Sequence, residues 1–327
     1  MDQSDDLTRV PALWFDDGTL VVRAQTTLFK VHRSVLSARS SVFRDMLAFP
    51  QDNGGLETFE GCPIVALPDK AEEVQSFLLA IYDSSYFMPP PQPFDILSLL
   101  GILRLAHKYD VEYLFKRALS HFDRVLYFDN YPAFLQAAGG PGIMTSQAEP
   151  WRPQSQYTDP RLLLAVVDAL TQVEAQWLLP VGAQYFLSSL PMLSLLGIPE
   201  DLLDGSRLRR ILLHRQKLVV QRSTLVGAIV PWGDDVAPDG MECLTPDDCT
   251  DTRVDFLTFV AAYNVERDAR ALDRLDAQNM HGLCGSCASG TFWEQSQDDF
   301  WRNDLPDVFD LPDWEDLRAQ RAAMLGS

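Results

Sequence analysis

One stretch constrains the fold of this chain more than any other: TLFKVHRSVLSARSSVFRDML, from Thr27 to Leu47. Its first part alternates with a period of two residues, so that Phe29 and Val31 share one face of a strand. After Val31 the apolar spacing changes towards 3.6 residues, which indicates helix. Ser40 and Ser41 lie between two predicted helical turns, where a hydroxyl can cap the second. The stretch therefore predicts a strand that turns sharply into two short helices, at the first corner of a domain.

Length, charge and cysteine content limit the class of protein. A chain of 327 residues exceeds one typical domain, so two domains are expected. The formal net charge of −19 argues against nucleic acid and membrane as partners, because both attract surfaces rich in Lys and Arg. The first ten residues are acidic and lack an apolar core, so they do not resemble a secretory signal. Five cysteines are an odd number, which favours a reducing intracellular compartment, cytoplasm or nucleus, over a disulfide framework.

The first half predicts a compact α+β unit over residues 14–128, preceded by a disordered leader over residues 1–13. Prolines bracket one predicted strand, which suits the edge of a sheet. Asp110 lies between the last two helices of the unit, and it is expected to break or cap the first of them. The predicted elements are strands over 20–22 and 64–67 and helices over 71–82, 94–109 and 111–126.

The second half predicts an all-α domain over residues 159–327. Residues 129–158 are rich in Gly, Pro, Ser and Gln, so a linker or mobile loop is expected there. The bulky apolar side chains of Phe309, Trp314 and Leu317 are expected to pack against the helices and so to fix the tail to them. The predicted helices span residues 162–173, 177–190 with a kink or break at Pro180, 207–230, 253–264 and 267–278.

A further ordered pattern links the elements of the first half, and its residues are Asp17, Phe29, His32, Leu36, Ser40, Phe43 and Met46. Together with the order of the elements, this pattern resembles a BTB/POZ domain. The resemblance covers residues 14–128 and implies a module that binds other proteins, either as a homodimer or as a substrate adaptor on a cullin scaffold for ubiquitin ligation. It also implies a structural role for His32, in the corner between strand and helix.

The chain departs from the family pattern in two places. Few residues precede Asp17, so the extra N-terminal helix and strand that some BTB subgroups exchange in a dimer are not expected. The polar loop over residues 51–62 is long for the fold and lies near the surface that cullin-binding members use.

The C-terminal part has a resemblance of its own. The tail from Leu305 to Leu317 follows the pattern LPxxFxLPxWxxL, and the chain also contains Trp177-Leu178-Leu179-Pro180-Val181 and Cys284-x-x-Cys287. These features resemble BTB proteins expanded in mushroom-forming fungi, which implies an organisation but no activity.

Candidate chemistry is concentrated in the late cysteines. His32 and His107 have no nucleophile or carboxylate partner at a recognisable spacing, so no catalytic residue is predicted. A tetrahedral zinc site requires four ligands in closely spaced pairs. The candidate ligands are Cys243, Cys249, Cys284 and Cys287. Free thiols are the simplest alternative for this group, and a redox dithiol at Cys284 and Cys287 is another, although no strand is predicted before it.

The main hypothesis is therefore a non-enzymatic interaction protein without an obligatory cofactor. A zinc-bound or thiol-redox protein centred on Cys284 and Cys287 is the alternative from another class. A transcriptional regulator is a third reading, but the acidic charge and the lack of a basic stripe weigh against DNA binding.

Overall fold

A computed structural model describes most of the chain. The described residues are 7–48, 57–137, 144–146, 149–151, 159–189, 195–199, 201, 203–227, 242–263, 282–288 and 291–326. The helix predicted over 267–278 therefore lies outside the described residues, as do residues 51–56 of the long polar loop.

A five-stranded sheet forms one part of the N-terminal domain. Its strands are β1 (Thr8–Trp14), β2 (Leu20–Ala24), β3 (Thr27–Val31), β4 (Thr58–Phe59) and β5 (Cys62–Leu67). The order is β1-β3-β2-β5-β4; β2 and β3 form the predicted hairpin with Leu20 opposite Val31, while β1 runs parallel to β3 and β5 parallel to β2. The disordered leader predicted over residues 1–13 is wrong for residues 8–13, because these residues pair with β3 as an edge strand.

Two short helices follow the hairpin as the opening stretch predicts. They are α1 (Arg33–Arg39) and α2 (Ser41–Ala48). The hydroxyl of Ser40 accepts a hydrogen bond from the Phe43 N–H at 2.9 Å and donates to the carbonyl of Tyr109. Phe43 is fully buried and stacks on the Tyr109 ring with centroids 4.7 Å apart. The predicted cap is therefore confirmed, and it also ties the corner to a distant helix.

Three longer helices cover the sheet. They are α3 (Ala71–Tyr82), α4 (Ile96–Lys108) and α5 (Glu112–Leu126). The Asp95 side chain caps α4 by accepting from the Ser98 N–H at 2.9 Å. Asp110 has a positive φ of 52° and separates α4 from α5, as its position predicts. α3 and α4 pack so closely that a Cβ on Gly101 would lie 3.1 Å from the Glu73 backbone.

Part of the predicted linker over residues 129–158 is folded. Tyr131–Ala137 forms α6, and its residues Tyr131 and Phe134 are buried because they pack against helices far along the chain. A small three-stranded sheet also involves this segment. It consists of β6 (Phe94–Asp95), β7 (Met144–Ser146) and β8 (Glu149–Trp151). The linker prediction is therefore wrong for these residues.

The described residues after 158 form a helical region. Its helices are α7 (Pro160–Gln172), α8 (Leu179–Ser189), α9 (Gly205–Gly227), α10 (Pro246–Tyr263), α11 (Gly285–Ala288), α12 (Thr291–Asn303), α13 (Leu305–Val308) and α14 (Trp314–Leu325). Of the kink or break predicted at Pro180, the structure has a break, because α8 starts at Leu179 after a 3-10 turn over Gln176–Leu178. Pro180 thus lies in the first helical turn, where its missing N–H has no helical partner to lose.

The N-terminal domain and the helical region share one hydrophobic core. The buried apolar residues of this core run from Leu13 in β1 to Leu317 in α14. The helices α7, α8 and α14 contact α4 and α5 directly. Phe309, Trp314 and Leu317 of the tail are all buried in this core. The architecture is therefore an α+β domain to which a helical region is fixed by continuous packing.

Candidate functional site

His32 lies at the corner between β3 and α1. Its backbone N–H donates to the Tyr82 hydroxyl at 2.8 Å, and its Nε2 lies 3.1 Å from a carboxylate oxygen of Asp17. The imidazole packs beside the rings of Phe15 and Tyr82, with centroid distances of 5.1 Å and 5.9 Å, and these two rings stack on each other at 4.9 Å. The hydrogen bond from His32 holds the pKa of Asp17 below its usual value. His32 therefore links the turn before β2 to the end of α3.

Most of the other residues that carry the resemblance to a BTB/POZ domain lie in the interior. Phe29, Leu36 and Phe43 are fully buried, Ser40 is almost so, and Met46 is half-buried. Side chains that are buried in this way support the fold and are not available to a partner. A binding surface must therefore be sought on the outside of the elements that they support.

One exposed face of the N-terminal domain carries both apolar and charged groups. We define the α1–α2 face by Arg39, Val42, Arg44, Asp110 and Glu112. Val42 exposes 37 % of its surface from α2, and the four charged side chains surround a groove of about 300 Å³ together with neighbouring residues. The groove lies between the α1–α2 corner and the junction of α4 and α5, and its side chains carry charges of both signs.

The C-terminal part of α5 is covered by the helical region. The Asp123 carboxylate accepts hydrogen bonds from Trp177 Nε1 at 2.9 Å and from Arg321 Nε and Nη2 at 2.7 Å and 2.8 Å. The Arg321 guanidinium also lies 4.4 Å from the centroid of the Tyr127 ring. These contacts close a helix side that the sequence alone leaves open to partners.

A cleft of about 350 Å³ lies in the helical region, between α7, α8 and α9 and beside Phe309. Its lining combines apolar side chains with charged ones, which include the ion pair of Asp168 with Arg207. Burial raises the pKa of Asp168, although the neighbouring guanidinium of Arg207 opposes this effect. A cleft that offers both apolar and charged groups is suited to binding a side chain of another molecule.

The structure brings the four candidate metal ligands together. We call the following group the cysteine cluster: Cys243, Cys249, Cys284 and Cys287. All four sulfur atoms lie within 4.8 Å of one another, although the two pairs are more than thirty residues apart in the chain. No disulfide joins any of the five cysteines of the chain. The cluster is separate from the main core, and Leu283 is the apolar residue that packs against it among the described residues.

Hydrogen bonds to sulfur define the electrostatics of the cluster. The backbone N–H of Cys284 donates to Cys249 Sγ at 3.2 Å, and Arg253 Nη2 donates to Cys287 Sγ at 3.0 Å. Backbone hydrogen bonds from Leu244 and Cys287 lower the pKa of the Cys284 thiol to about 6. Burial, by contrast, raises the pKa of the Cys287 thiol to about 12.

Arg253 is the residue of this site that sequence reasoning missed. It lies four residues after Cys249 on α10, and residues at this spacing share one helix face. The four-residue spacing of Cys249 and Arg253 is visible in the sequence. It indicates a contact with the site only once Cys287 is known to approach the same helix face.

Comparisons with known proteins identify the N-terminal part of the chain. In the part of the chain that the structure describes, no helix combines the length and the apolar character needed to cross a bilayer. No curated protein and no solved structure matches the chain. The likeness of the tail to fungal BTB proteins stays a prediction. A family model described as BTB/POZ domain matches residues 14–125, which coincide with the sheet and helices from β2 to α5. Residues 14–125 of this chain are therefore a BTB/POZ domain, which is a protein-interaction module.

Proposed function

We propose that the chain is a non-enzymatic interaction protein that self-associates through the α1–α2 face of its BTB/POZ domain. The observation that carries this proposal is the cover that the helical region places on α4 and α5. Because the C-terminal part of α5 is covered, the α1–α2 face remains as an exposed surface, with a groove lined by charges of both signs and with Val42 exposed on α2.

The charges of the α1–α2 face support a second copy of the chain as the partner. A two-fold interface uses the same patch on both subunits, so the patch must complement itself. Arg39 and Arg44 lie beside Asp110 and Glu112 on one surface, and each sign can therefore face the other across a two-fold axis. The interface needs to bury roughly 800 Å² on each chain to be stable. The cleft beside Phe309 supports a further role of the helical region in recognising another protein.

Substitution of Val42 by arginine tests the proposal on the full chain. Light scattering coupled to size-exclusion chromatography measures the mass of the wild type and of Val42→Arg across a concentration series. We expect a dimer for the wild type and a monomer for the variant, because an additional cation on this face is costly to bury in an interface. Val220→Arg is the matched control, since Val220 exposes 54 % of its surface on α9 and does not belong to the α1–α2 face.

The adaptor role on a cullin scaffold is the other outcome of this experiment. A pull-down with purified cullin is performed with the same three proteins. Capture of a monomeric wild-type chain by cullin, lost in Val42→Arg, would replace self-association by the adaptor role. A wild-type chain that remains monomeric and is not captured by cullin refutes the use of this face.

A further inference from the structure

We propose that the cysteine cluster binds one zinc ion in a structural role. Zinc bound by four thiolates is tetrahedral, with Zn–S distances of about 2.3 Å, which places the sulfur atoms about 3.8 Å apart. Cys243 Sγ lies 3.6 Å from Cys287 Sγ and 3.9 Å from Cys284 Sγ, and these distances bracket that value. A disulfide would instead require sulfur atoms about 2.05 Å apart. The cluster therefore has the size of a tetrahedral site.

The backbone around the sulfur atoms supports the same conclusion. The N–H of Cys284 points at Cys249 Sγ, which is the way that peptide groups stabilise a thiolate. Gly282 has a φ of +129°, and a Cβ at this position would lie 2.5 Å from Thr252 Oγ1. The loop before Cys284 therefore approaches α10 more closely than any other residue would permit. This close approach brings the second cysteine pair to the first.

Arg253 provides an independent indication of negative charge at the cluster. Its side chain is buried, and a buried guanidinium requires an anionic partner because it remains protonated in proteins. The partner that it contacts is Cys287 Sγ. Four thiolates and one Zn²⁺ carry a net charge of −2, so a zinc-bound cluster supplies the charge that Arg253 neutralises in part. Four neutral thiols would supply no negative charge at the contact that Arg253 makes among the described residues.

Zinc binding to the cysteine cluster exchanges protons for the metal ion. Four S–H bonds lose their protons to solvent, four Zn–S bonds form, and no electron is transferred. A low-molecular-weight zinc salt is therefore sufficient as the ligand. The ion would join the start of α10 to the segment around α11, where the described residues provide little apolar packing. A metal commonly replaces a hydrophobic core in small units of this kind.

Metal analysis of the full chain tests this proposal. The wild type is purified without chelators under reducing conditions, and its metal content is measured by inductively coupled plasma mass spectrometry. We expect one zinc ion per chain. Cys249→Ser and Cys287→Ser are expected to lose most of this zinc. Cys62→Ser is the matched control, because Cys62 belongs to β5 and donates its S–H to the Gly18 carbonyl, outside the cluster.

A measurement on the wild type keeps the test valid if the cysteine variants fail to fold. Titration with a mercurial reagent in the presence of a colorimetric zinc indicator should release the zinc in step with the modification of four thiols. Arg253→Gln should release zinc to a competing chelator at least several-fold faster than Arg253→Lys. A metal-free chain with freely reactive thiols overturns the proposal. A chain that contains iron instead of zinc, or one that forms a disulfide between Cys284 and Cys287 on mild oxidation, overturns it as well.

Discussion

Replacement of Asp123 by alanine tests how strongly the helical region is fixed to the BTB/POZ domain. Asp123 belongs to α5 of the domain, whereas its partners Trp177 and Arg321 belong to the helical region. The carboxylate accepts three hydrogen bonds, and only 14 % of its side chain is exposed. The substitution removes all three hydrogen bonds and leaves the indole N–H of Trp177 and the Arg321 guanidinium without this acceptor.

The expected loss in the free energy of unfolding follows from these contacts. A hydrogen bond to a charged group contributes roughly 1.5–3 kcal/mol, and a buried donor without a partner costs about 1–3 kcal/mol. The Arg321 side chain is 30 % exposed, so solvent screening reduces its share and the terms do not add in full. We therefore expect a loss of about 3 kcal/mol in the free energy of unfolding. An unfolding entropy of about 2.1 cal/mol/K per residue, taken over 327 residues, converts this loss into a decrease of about 4 °C in Tm.

Urea and thermal unfolding followed by circular dichroism measure this loss. Because the core is continuous, we expect a single transition for the wild type. A double-mutant cycle with Arg321→Ala should give a coupling energy of about 1–2 kcal/mol. Glu112→Ala is the matched control on the same helix, because the pair of Glu112 with Lys116 is exposed and should contribute less than about 0.5 kcal/mol.

Two results would refute the reasoning. A loss for Asp123→Ala no larger than that for Glu112→Ala would show that the three hydrogen bonds contribute no net stability. Two separate unfolding transitions in the wild type would contradict a shared core.

Two further predictions concern the interior of the BTB/POZ domain. Ser40→Ala removes the cap of α2 and leaves the Phe43 N–H unpaired, so urea unfolding should show a loss of about 1–2 kcal/mol; an unchanged midpoint would contradict the capping role. His121 is fully buried, and burial lowers its pKa below the usual 6.5. The unfolded chain therefore takes up a proton that the folded chain does not, and stability should fall as the pH decreases through about 6.5. His121→Gln should flatten the dependence of Tm on pH between about 7 and 5, and an unchanged dependence would contradict this reasoning.

The strongly periodic elements could be predicted from the sequence, whereas those that depend on distant partners could not. The strand-to-helix corner has a clear change of period, and Asp110 interrupts two amphipathic helices, so both were predicted. β1 contains Pro11 and no regular alternation, because the pairing with β3 and not the local pattern makes it a strand. The helix at Tyr131 was missed for a similar reason, since its apolar side chains are buried by residues more than 150 positions away.

The candidate metal site was predictable in part. The spacing of Cys284 and Cys287 indicated a ligand pair, and a second, loosely spaced pair was available to complete it. The sequence could not indicate that the pairs meet, because the close approach of Gly282 to α10 is a property of the fold. It also could not assign Arg253 to the site, since its partner belongs to another segment.

The continuous core has a consequence for the valency of the assembled protein. A helical region that is packed onto α4 and α5 cannot swing on a linker, so its cleft keeps a constant position relative to the α1–α2 face. Two chains that join through this face would therefore hold two clefts at a set spacing. A partner with two matching sites would bind such a pair with an effective concentration that depends on this spacing alone, and a partner with a single site would gain nothing from the pairing.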